Sequence, residues 1–311
     1  MKFLLSFNPN APWDEARVLV GLEGEHILEV RNAHHHLGQP FIVTPVADHG
    51  TVADQITPDV GVPTDAAITW IQHACRGTSR LHDRGLLHND IKPDNIFLTA
   101  NRRAILGDLG LAGLRDTTGH APFAGTPATM APEVARVGAT LPQADWFTQR
   151  PCSTASDVYS LGASLYWLLY GRPPYEGATL VDTMQAVIAG PPPDLLDVAP
   201  HVPQGVRDII RRAMDPDAAK RHHSPAAFDQ ALGSRARQPR TWTRHTPHQG
   251  HMTCFVGNGS SKNDLSVCVV PIGPKTTCQV QMTHVNSGPR GTAFEAGSAF
   301  SGATHPALSF P

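Results

Sequence analysis

Several polar side chains in one short segment have the types and spacing for proton and cation chemistry. The segment LLHNDIKPDNIFL, residues 86–98, carries His88, Asp90, Lys92 and Asn95. Asp108 follows thirteen residues after Asn95. Asp90 offers a proton acceptor and Lys92 a positive charge, whereas Asn95 and Asp108 offer the oxygen ligands that Mg²⁺ prefers. A solvated turn also favours Asp and Asn, so the pattern has meaning only if the two turns are neighbours in space.

Two short apolar runs lie between these turns. Residues 96–98 and 104–106 flank a polar connection and predict a β-hairpin. A hairpin brings Asn95 and Asp108 side by side, because they stand just outside its two ends. The spaced set therefore predicts one site, built from two loops around a single divalent ion.

The spaced set resembles the protein kinase superfamily, and within it the serine/threonine kinases of the kind that bacteria carry. His88, Asp90, Lys92 and Asn95 match H-x-D-x-K-x-x-N, and Asp108 begins a D-x-G motif. The resemblance implies ATP and Mg²⁺ as cofactors, with Asp90 as catalytic base and Lys92 beside it. It also implies that Asn95 and Asp108 bind the nucleotide's metal ion and that His88 has a structural role.

Further matches lie downstream. Residues 125–133, GTPATMAPE, are similar to the end of a kinase activation segment. The resemblance implies that Thr126 contacts the substrate and favours Ser/Thr over Tyr as the acceptor. It also implies that Glu133 pairs with Arg221, and that Asp157 holds the backbone of the catalytic loop.

The upstream match is thinner. Residues 43–48, VTPVAD, resemble the hinge that holds adenine, with Thr44 as gatekeeper and Val46 in the hinge. Glu15, on a first helix predicted after Asn10, matches the glutamate that pairs with a strand lysine. Lys2 matches that lysine, although an ordinary N-terminal lysine fits these few residues equally well.

Two features depart from the family pattern. No G-x-G-x-x-G precedes Lys2, so we expect either an N-terminally truncated chain or a site without its glycine-rich roof. Asn89 stands where the family has the arginine of H-R-D, which meets a phosphate on the activation segment. We therefore expect activity that does not depend on phosphorylation of that segment.

Apolar periodicity predicts the elements that position these motifs. The predicted elements are strands at 27–30 and 41–46 and helices at 64–81, 155–170, 180–188, 206–214 and 225–232. Together with the resemblance they predict an α+β, protein-kinase-like bilobal fold with an incomplete N-lobe sheet and a mostly helical C-lobe. The predicted units are 1–47 (N-lobe remnant), 48–234 (C-lobe), 235–251 (basic linker), 252–285 (partial β unit) and 286–311 (disordered tail).

Charge and composition separate the tail from the body. Residues 1–234 carry 18 Lys/Arg and 25 Asp/Glu, whereas residues 235–311 carry 7 and 2. In residues 286–311, 16 of 26 are Gly, Ala, Ser or Pro, which is why we expect disorder there. The basic stretch lacks amphipathic periodicity, so we interpret it as a tether and expect no nucleic-acid partner.

Composition also argues against other classes of protein. None of the five cysteines stands in a C-x-x-C pair, which argues against a structural zinc site or a disulfide framework. The longest apolar run is far below the ~20 residues that span a bilayer, so we expect no membrane span and a cytoplasmic location. The expected function is ATP- and Mg-dependent phosphoryl transfer to Ser/Thr hydroxyls of protein substrates. The alternatives are a pseudokinase scaffold that binds a partner without catalysis, and a small-molecule phosphotransferase.

Overall fold

The structure is a computed structural model. It describes residues 2–3, 24–36, 39–235, 240–245, 247–250, 253–259, 265–271, 277–284 and 294–301. The predicted first helix, including Glu15, lies outside these described residues.

A small antiparallel sheet opens the fold. Its strands are β1 (Lys2–Phe3), β2 (Asn32–His36) and β3 (Gln39–Val43), in the order β1-β3-β2. The strand predicted at 27–30 is wrong, because this stretch instead lies along the later hairpin. There the amide of Leu28 donates to the Leu106 carbonyl at 2.7 Å, and the amide of Leu106 donates to the His26 carbonyl at 2.9 Å.

Helices form the body of the fold, and the predicted ones are confirmed to within three residues at either end. They are α1 (Thr64–Asp83), α2 (Pro132–Thr140), α3 (Thr154–Tyr170), α4 (Leu180–Ala189), α5 (Leu195–Val198), α6 (Gln204–Ala213) and α7 (Pro225–Arg235). Helix α3 is buried on nearly every side and begins with a capping box between Ser153 and Ser156. Helix α1 packs against α3 and α7 and lays its buried face on the core.

Two short pairs of strands flank the two loops that carry the predicted site residues. Strand β4 (Leu86–Leu87) pairs with β7 (Gly113–Leu114), and β5 (Ile96–Leu98) pairs with β6 (Ala104–Leu106). The predicted hairpin is therefore confirmed. The first loop, 88–95, leaves β4 and enters β5, and the second loop, 107–112, leaves β6 and enters β7.

A second antiparallel sheet follows the helices, in the order β12-β11-β10-β9-β8. Its strands are β8 (Arg240–His245), β9 (Thr253–Gly259), β10 (Leu265–Pro271), β11 (Thr277–His284) and β12 (Phe294–Ser301). Phe255 of this sheet lies against His201 of the helical body, with ring centroids 5.4 Å apart. Arg244 also donates to the Val198 carbonyl at 3.0 Å.

This sheet corrects two expectations. The segment predicted as a linker, 235–251, contains β8, in which Trp242 is 3% exposed. The segment predicted as disordered, 286–311, contains β12. Composition misled the prediction for 286–311, because residues such as Phe294, Ala296 and Phe300 can pair with a neighbouring strand even in a Gly- and Ser-rich segment. The other unit boundaries stay predictions.

The architecture is the predicted α+β fold with a partial N-terminal sheet. Among the helices that the structure describes, none combines the length and the apolar character that crossing a bilayer requires.

Gly77 provides a test of how closely α1 packs on the hairpin. A Cβ at this position would lie 2.3 Å from the His26 carbonyl oxygen, which already accepts the Leu106 amide. We expect Gly77→Ala to lower the free energy of unfolding by about 1–3 kcal/mol, because the carbonyl must move. Equilibrium unfolding in urea measures this change.

The matched control is Gly233→Ala on α7. Its Cβ would meet only the end of the Gln72 side chain, at 3.4 Å. Alanine should therefore stabilise this helix by about 0.5–1 kcal/mol. Equal effects of the two substitutions would contradict the close packing of α1 on His26.

Candidate active site

One buried carboxylate, that of Asp157, holds the backbone of the loop at 88–95. Asp157, on α3, accepts the backbone amides of His88 and Asn89, each at 2.9 Å and each on a different oxygen. The Nε2 atom of His82, at the end of α1, lies 2.7 Å from Asp157 Oδ2. The predicted contact between Asp157 and the loop backbone is present, and His82 is a partner that sequence reasoning missed.

Burial and hydrogen bonding act on Asp157 in opposite directions. Burial disfavours the charged form of this fully buried carboxyl group. The hydrogen bonds from the His82 ring and from the loop amide of His88 outweigh burial and hold the pKa of Asp157 below its ordinary value. The carboxylate is therefore ionised at neutral pH and accepts bonds from the loop.

His88 joins the two loops. Its ring is fully buried, its Nδ1 lies 3.2 Å from the Asp90 amide, and its Nε2 lies 3.0 Å from the Gly107 carbonyl. An amide can only donate and a carbonyl can only accept, so the neutral ring carries its proton on Nε2. The structural role expected for His88 thus has a defined geometry, because its ring fixes the distance between the loops.

Asp90 lies at the centre of a polar cluster that also contains Lys92, Asn95 and Thr126. Its Oδ1 accepts the Thr126 hydroxyl at 2.6 Å, and its Oδ2 accepts the Asn95 side-chain amide at 2.9 Å. The Lys92 ammonium lies 3.0 Å from Oδ2 and donates to the Thr126 hydroxyl at 2.7 Å. The structure therefore brings together four of the predicted site residues.

The cluster keeps Asp90 charged although the residue is only 6% exposed. Burial alone would raise its pKa, but the Thr126 hydroxyl and the Lys92 ammonium together lower it below the ordinary value. At neutral pH Asp90 is a carboxylate surrounded by donors, which is the state in which it can accept a proton or a hydrogen bond.

Asn95 and Asp108 stand at the two ends of the hairpin. The Gly107 amide donates to the Asn95 backbone carbonyl at 2.9 Å. Asp108 is the next residue after Gly107, so this bond brings it close to Asn95. Asn95 is 3% exposed, and its side-chain amide donates through Nδ2 to the carbonyl and the carboxylate of Asp90, at 2.7 and 2.9 Å. Asp108 has left-handed backbone angles, φ 58° and ψ 63°, at the start of a short 3₁₀ turn. This is an unusual conformation for a non-glycine residue, and such residues cluster at functional sites.

Asn89 has a role that its sequence position did not reveal. Its backbone is also left-handed, with φ 66°, and its Nδ2 donates to the Leu111 carbonyl at 2.9 Å. Asn is among the residues that adopt this conformation most readily, and this preference is the one signal that the sequence offered. A neutral amide thus ties the first loop to the second.

Glu133 and Arg221 form the predicted pair. Two guanidinium nitrogens of Arg221 donate to the two carboxylate oxygens of Glu133, each at 2.8 Å. The Arg221 side chain is fully buried, donates to the Ala155 carbonyl at 2.9 Å, and lies 4.9 Å from the centroid of the Tyr159 ring. This bidentate pair holds the start of α2, and with it the segment that carries Thr126, against the helical body.

The residues proposed for the nucleotide base lie near the N-terminal sheet. Thr44 is half-buried and Val46 is 89% exposed, both in the irregular segment that follows β3. The backbone of Lys2 pairs with Ile42 of β3. The side chain of Lys2 and the whole of Glu15 lie outside the described part of the chain, so their predicted pairing stays a prediction.

Comparison with known proteins places the chain in context. A family model described as protein kinase domain matches residues 6–232. The serine/threonine-protein kinase pkn2 of Myxococcus xanthus is 27% identical over 310 residues, covering 92% of this chain and 33% of that protein. The DNA damage-responsive serine/threonine-protein kinase RqkA of Deinococcus radiodurans is 30% identical over 218 residues, covering 68% and 30%. The inactive serine/threonine-protein kinase PLK5 of Mus musculus is 29% identical over 188 residues, covering 60% and 29%. The chain spans about a third of the length of these curated relatives.

The Asp157 contacts predict a specific response to acid. Asp157→Asn replaces an acceptor oxygen by an NH₂ group, which leaves at least one buried donor without its partner. We expect the free energy of unfolding at pH 7 to fall by about 3–5 kcal/mol. The folded pKa of Asp157 lies below its ordinary 3.8. Its stabilisation is therefore present above that value and is lost as the pH falls toward the folded pKa.

The variant should accordingly lose less stability than the wild type between about pH 5 and about pH 3. Urea unfolding at each pH measures this difference. Asp65→Asn, at an exposed position in the first turn of α1, serves as the control and should keep the wild-type acid response. An unchanged acid response in Asp157→Asn would contradict the role assigned to Asp157.

Proposed function

The chain belongs to the protein kinase family and resembles its bacterial serine/threonine members, and on that premise we propose that it transfers the terminal phosphoryl group of ATP to Ser/Thr hydroxyls of proteins. Phosphoryl transfer needs positioning and charge stabilisation more than covalent help from the protein. The proposal therefore rests on which charged groups surround the acceptor oxygen.

One observation carries the proposal: a hydroxyl group already sits between the proposed base and the proposed cation. The Thr126 oxygen donates to Asp90 and accepts from Lys92, at 2.6 and 2.7 Å. The same carboxylate can accept a hydrogen bond from the hydroxyl of a bound substrate. Lys92, at 3.0 Å from Asp90, supplies positive charge at that point.

In the proposed reaction, Asp90 orients the acceptor hydroxyl and takes its proton as the new oxygen–phosphorus bond forms. The bond between that phosphorus and the bridging oxygen of ATP breaks at the same time, and ADP leaves with the electron pair. Lys92 offsets negative charge on the oxygens of the transferred group. Thr126 keeps the Asp90 carboxylate in position through its hydroxyl bond.

The residues at the hairpin ends fit a magnesium ion in chemistry. Asn95 and Asp108 offer an amide oxygen and a carboxylate, which are oxygen ligands of the kind that Mg²⁺ prefers. The Asn95 amide turns its Nδ2 toward Asp90, so Oδ1 is the end left for a cation. These two residues would hold the ion, which when bound neutralises charge on the phosphates. Lys2, Glu15, Thr44 and Val46 are proposed for the rest of the nucleotide.

A protein acceptor is favoured over a small molecule. Thr126 belongs to a segment that the Glu133–Arg221 pair holds against the helical body. Such a surface beside the base suits an extended peptide. Phosphoryl transfer to a small alcohol, with none to protein, would reverse this choice.

Asp90→Asn tests the proposed base. We expect the rate of phosphoryl transfer to an acceptor protein to fall by about 10²–10⁴-fold, because asparagine cannot take the proton. Binding of Mg-ATP, measured by thermal shift, should persist, since Asn95 and Asp108 are unchanged. Radiolabelled ATP provides the measurement of transfer.

Asp94→Asn is the matched control, because Asp94 is an exposed carboxylate of the same loop. It should retain the wild-type rate. A wild-type chain that binds Mg-ATP but transfers no phosphate would contradict the proposal and support the scaffold alternative.

An ion pair between Arg150 and Asp116 holds the segment after Asp108. Arg150 donates to the Asp116 carboxylate at 2.6 Å and to the carbonyls of Leu114 and His120, each at 3.0 Å. The Thr118 hydroxyl donates to the other oxygen of Asp116 at 2.6 Å. A carboxylate thus supplies the negative charge that fixes this turn, while Asn89 offers no cation for a phosphate.

We therefore expect Thr117→Ala and Thr118→Ala to retain the wild-type transfer rate. Thr126→Ala should lose activity, because its hydroxyl bonds both Asp90 and Lys92. Initial rates with one acceptor protein, compared with those of phosphatase-treated wild type, provide the measurement. A large loss at Thr117 or Thr118, matched by a similar loss in the phosphatase-treated wild type, would show that phosphorylation of the segment is required.

A further inference from the structure

We propose that the C-terminal sheet binds a divalent transition-metal ion of the zinc class through Cys254, Cys268 and His248. This site is separate from the loops of the proposed active site. It uses residues of β9, β10 and the connection between β8 and β9.

The strand register brings the two cysteines together. Cys254 of β9 stands directly opposite Cys268 of β10 in the antiparallel ladder. Residues opposite each other share one face of a sheet, with Cβ atoms about 4.5–5.5 Å apart. His245 of β8 stands opposite Cys254 in turn, so it lies on that same face.

The imidazole of His248 lies beside both thiols. Its Nδ1 atom is 3.3 Å from the Cys254 sulfur and 3.6 Å from the Cys268 sulfur. The three possible ligand atoms all lie within 4.8 Å of one another. Tetrahedral zinc, with its usual bond lengths to sulfur and nitrogen, places these two kinds of atom about 3.5 Å apart. The two observed nitrogen–sulfur distances therefore match two edges of such a tetrahedron.

The donor set selects the class of metal. Two sulfurs and one imidazole suit Zn²⁺, which is bound by Cys and His in tetrahedral sites, and do not suit Mg²⁺ or Ca²⁺. A neutral imidazole Nδ1 has one lone pair, so it can accept a good hydrogen bond from only one of the two thiols. A metal ion held jointly by all three atoms accounts for the convergence of both sulfurs on this nitrogen.

Burial defines the direction of access. Cys254 is 1% and Cys268 is 7% exposed, whereas His248 lies at the surface, just before a turn at residues 249–250. An ion can therefore enter from the side of His248. Water, or His245 on the same face of the sheet, can supply a fourth ligand.

The sequence argued against zinc because the cysteines do not form a C-x-x-C pair. Cys254 and Cys268 are fourteen residues apart, and only the pairing of β9 with β10 makes them neighbours. Binding would displace the thiol protons and join three adjacent segments of the sheet.

Direct measurement of bound metal tests the proposal. The full-length chain, purified with a reductant, is loaded with Zn²⁺ and dialysed, and its metal content is measured by mass spectrometry. We expect one ion per chain, together with an increase in the melting temperature, because a ligand that binds only the folded state stabilises it. Loading with Co²⁺ should give the visible bands of a tetrahedral ion and a thiolate charge-transfer band.

Variants identify the ligands. Cys254→Ser and Cys268→Ser should lose the ion and the charge-transfer band, and His248→Ala should weaken binding without unfolding, since His248 is exposed. Cys278→Ser, in the same sheet but opposite Pro271, is the matched control and should retain one ion. Absence of metal in the wild type, retention in Cys254→Ser and His248→Ala, or a Cys254–Cys268 disulfide under reducing purification would each overturn the proposal.

Discussion

The buried charge of Asp157 is the constraint on which the rest of the site depends. A carboxylate inside a helix core is costly unless donors surround it, and here the donors are two loop amides and the ring of His82. These donors are not interchangeable with water, because α3 is packed on nearly every side. The loop must therefore take the conformation that presents both amides to Asp157, and this conformation includes the left-handed backbone of Asn89.

Single hydrogen bonds connect this fixed loop to the second loop and to Asp90. The ring of His88 bonds the Gly107 carbonyl and so sets the distance between the two loops. The Asn95 side chain donates to the Asp90 carboxylate. Asp90 is buried, yet it stays ionised because a hydroxyl and an ammonium group lower its pKa more than burial raises it. A reaction dominated by electrostatics requires charges that are already in place, because the protein groups then need not rearrange when the transition state forms.

The helices and the hairpin were predictable because their signals are local. Apolar residues at helical spacing and turn residues between short β-prone runs are read within one window of sequence. The strand predicted at 27–30 was wrong for the opposite reason, and so was the disorder predicted for 286–311 at residues 294–301, the part of that segment that the structure describes. Each segment bonds to a partner outside itself: Leu28 bonds to Leu106, and β12 pairs with β11. The composition of a segment does not indicate which distant residues it will pair with.

The sequence by itself determined which residues we propose for the site: Asp90, Lys92, Asn95 and Asp108 at family spacing, with Glu133, Asp157 and Arg221 in support. Motif spacing is sufficient for this, because it gives the residue types that the proposed reaction needs and their order along the chain. Only the tertiary structure decided the contacts, including His82 against Asp157, Asn89 against Leu111, and the two sulfurs beside His248. Those pairs join residues from separate elements, and packing, not spacing along the chain, determines which of them meet.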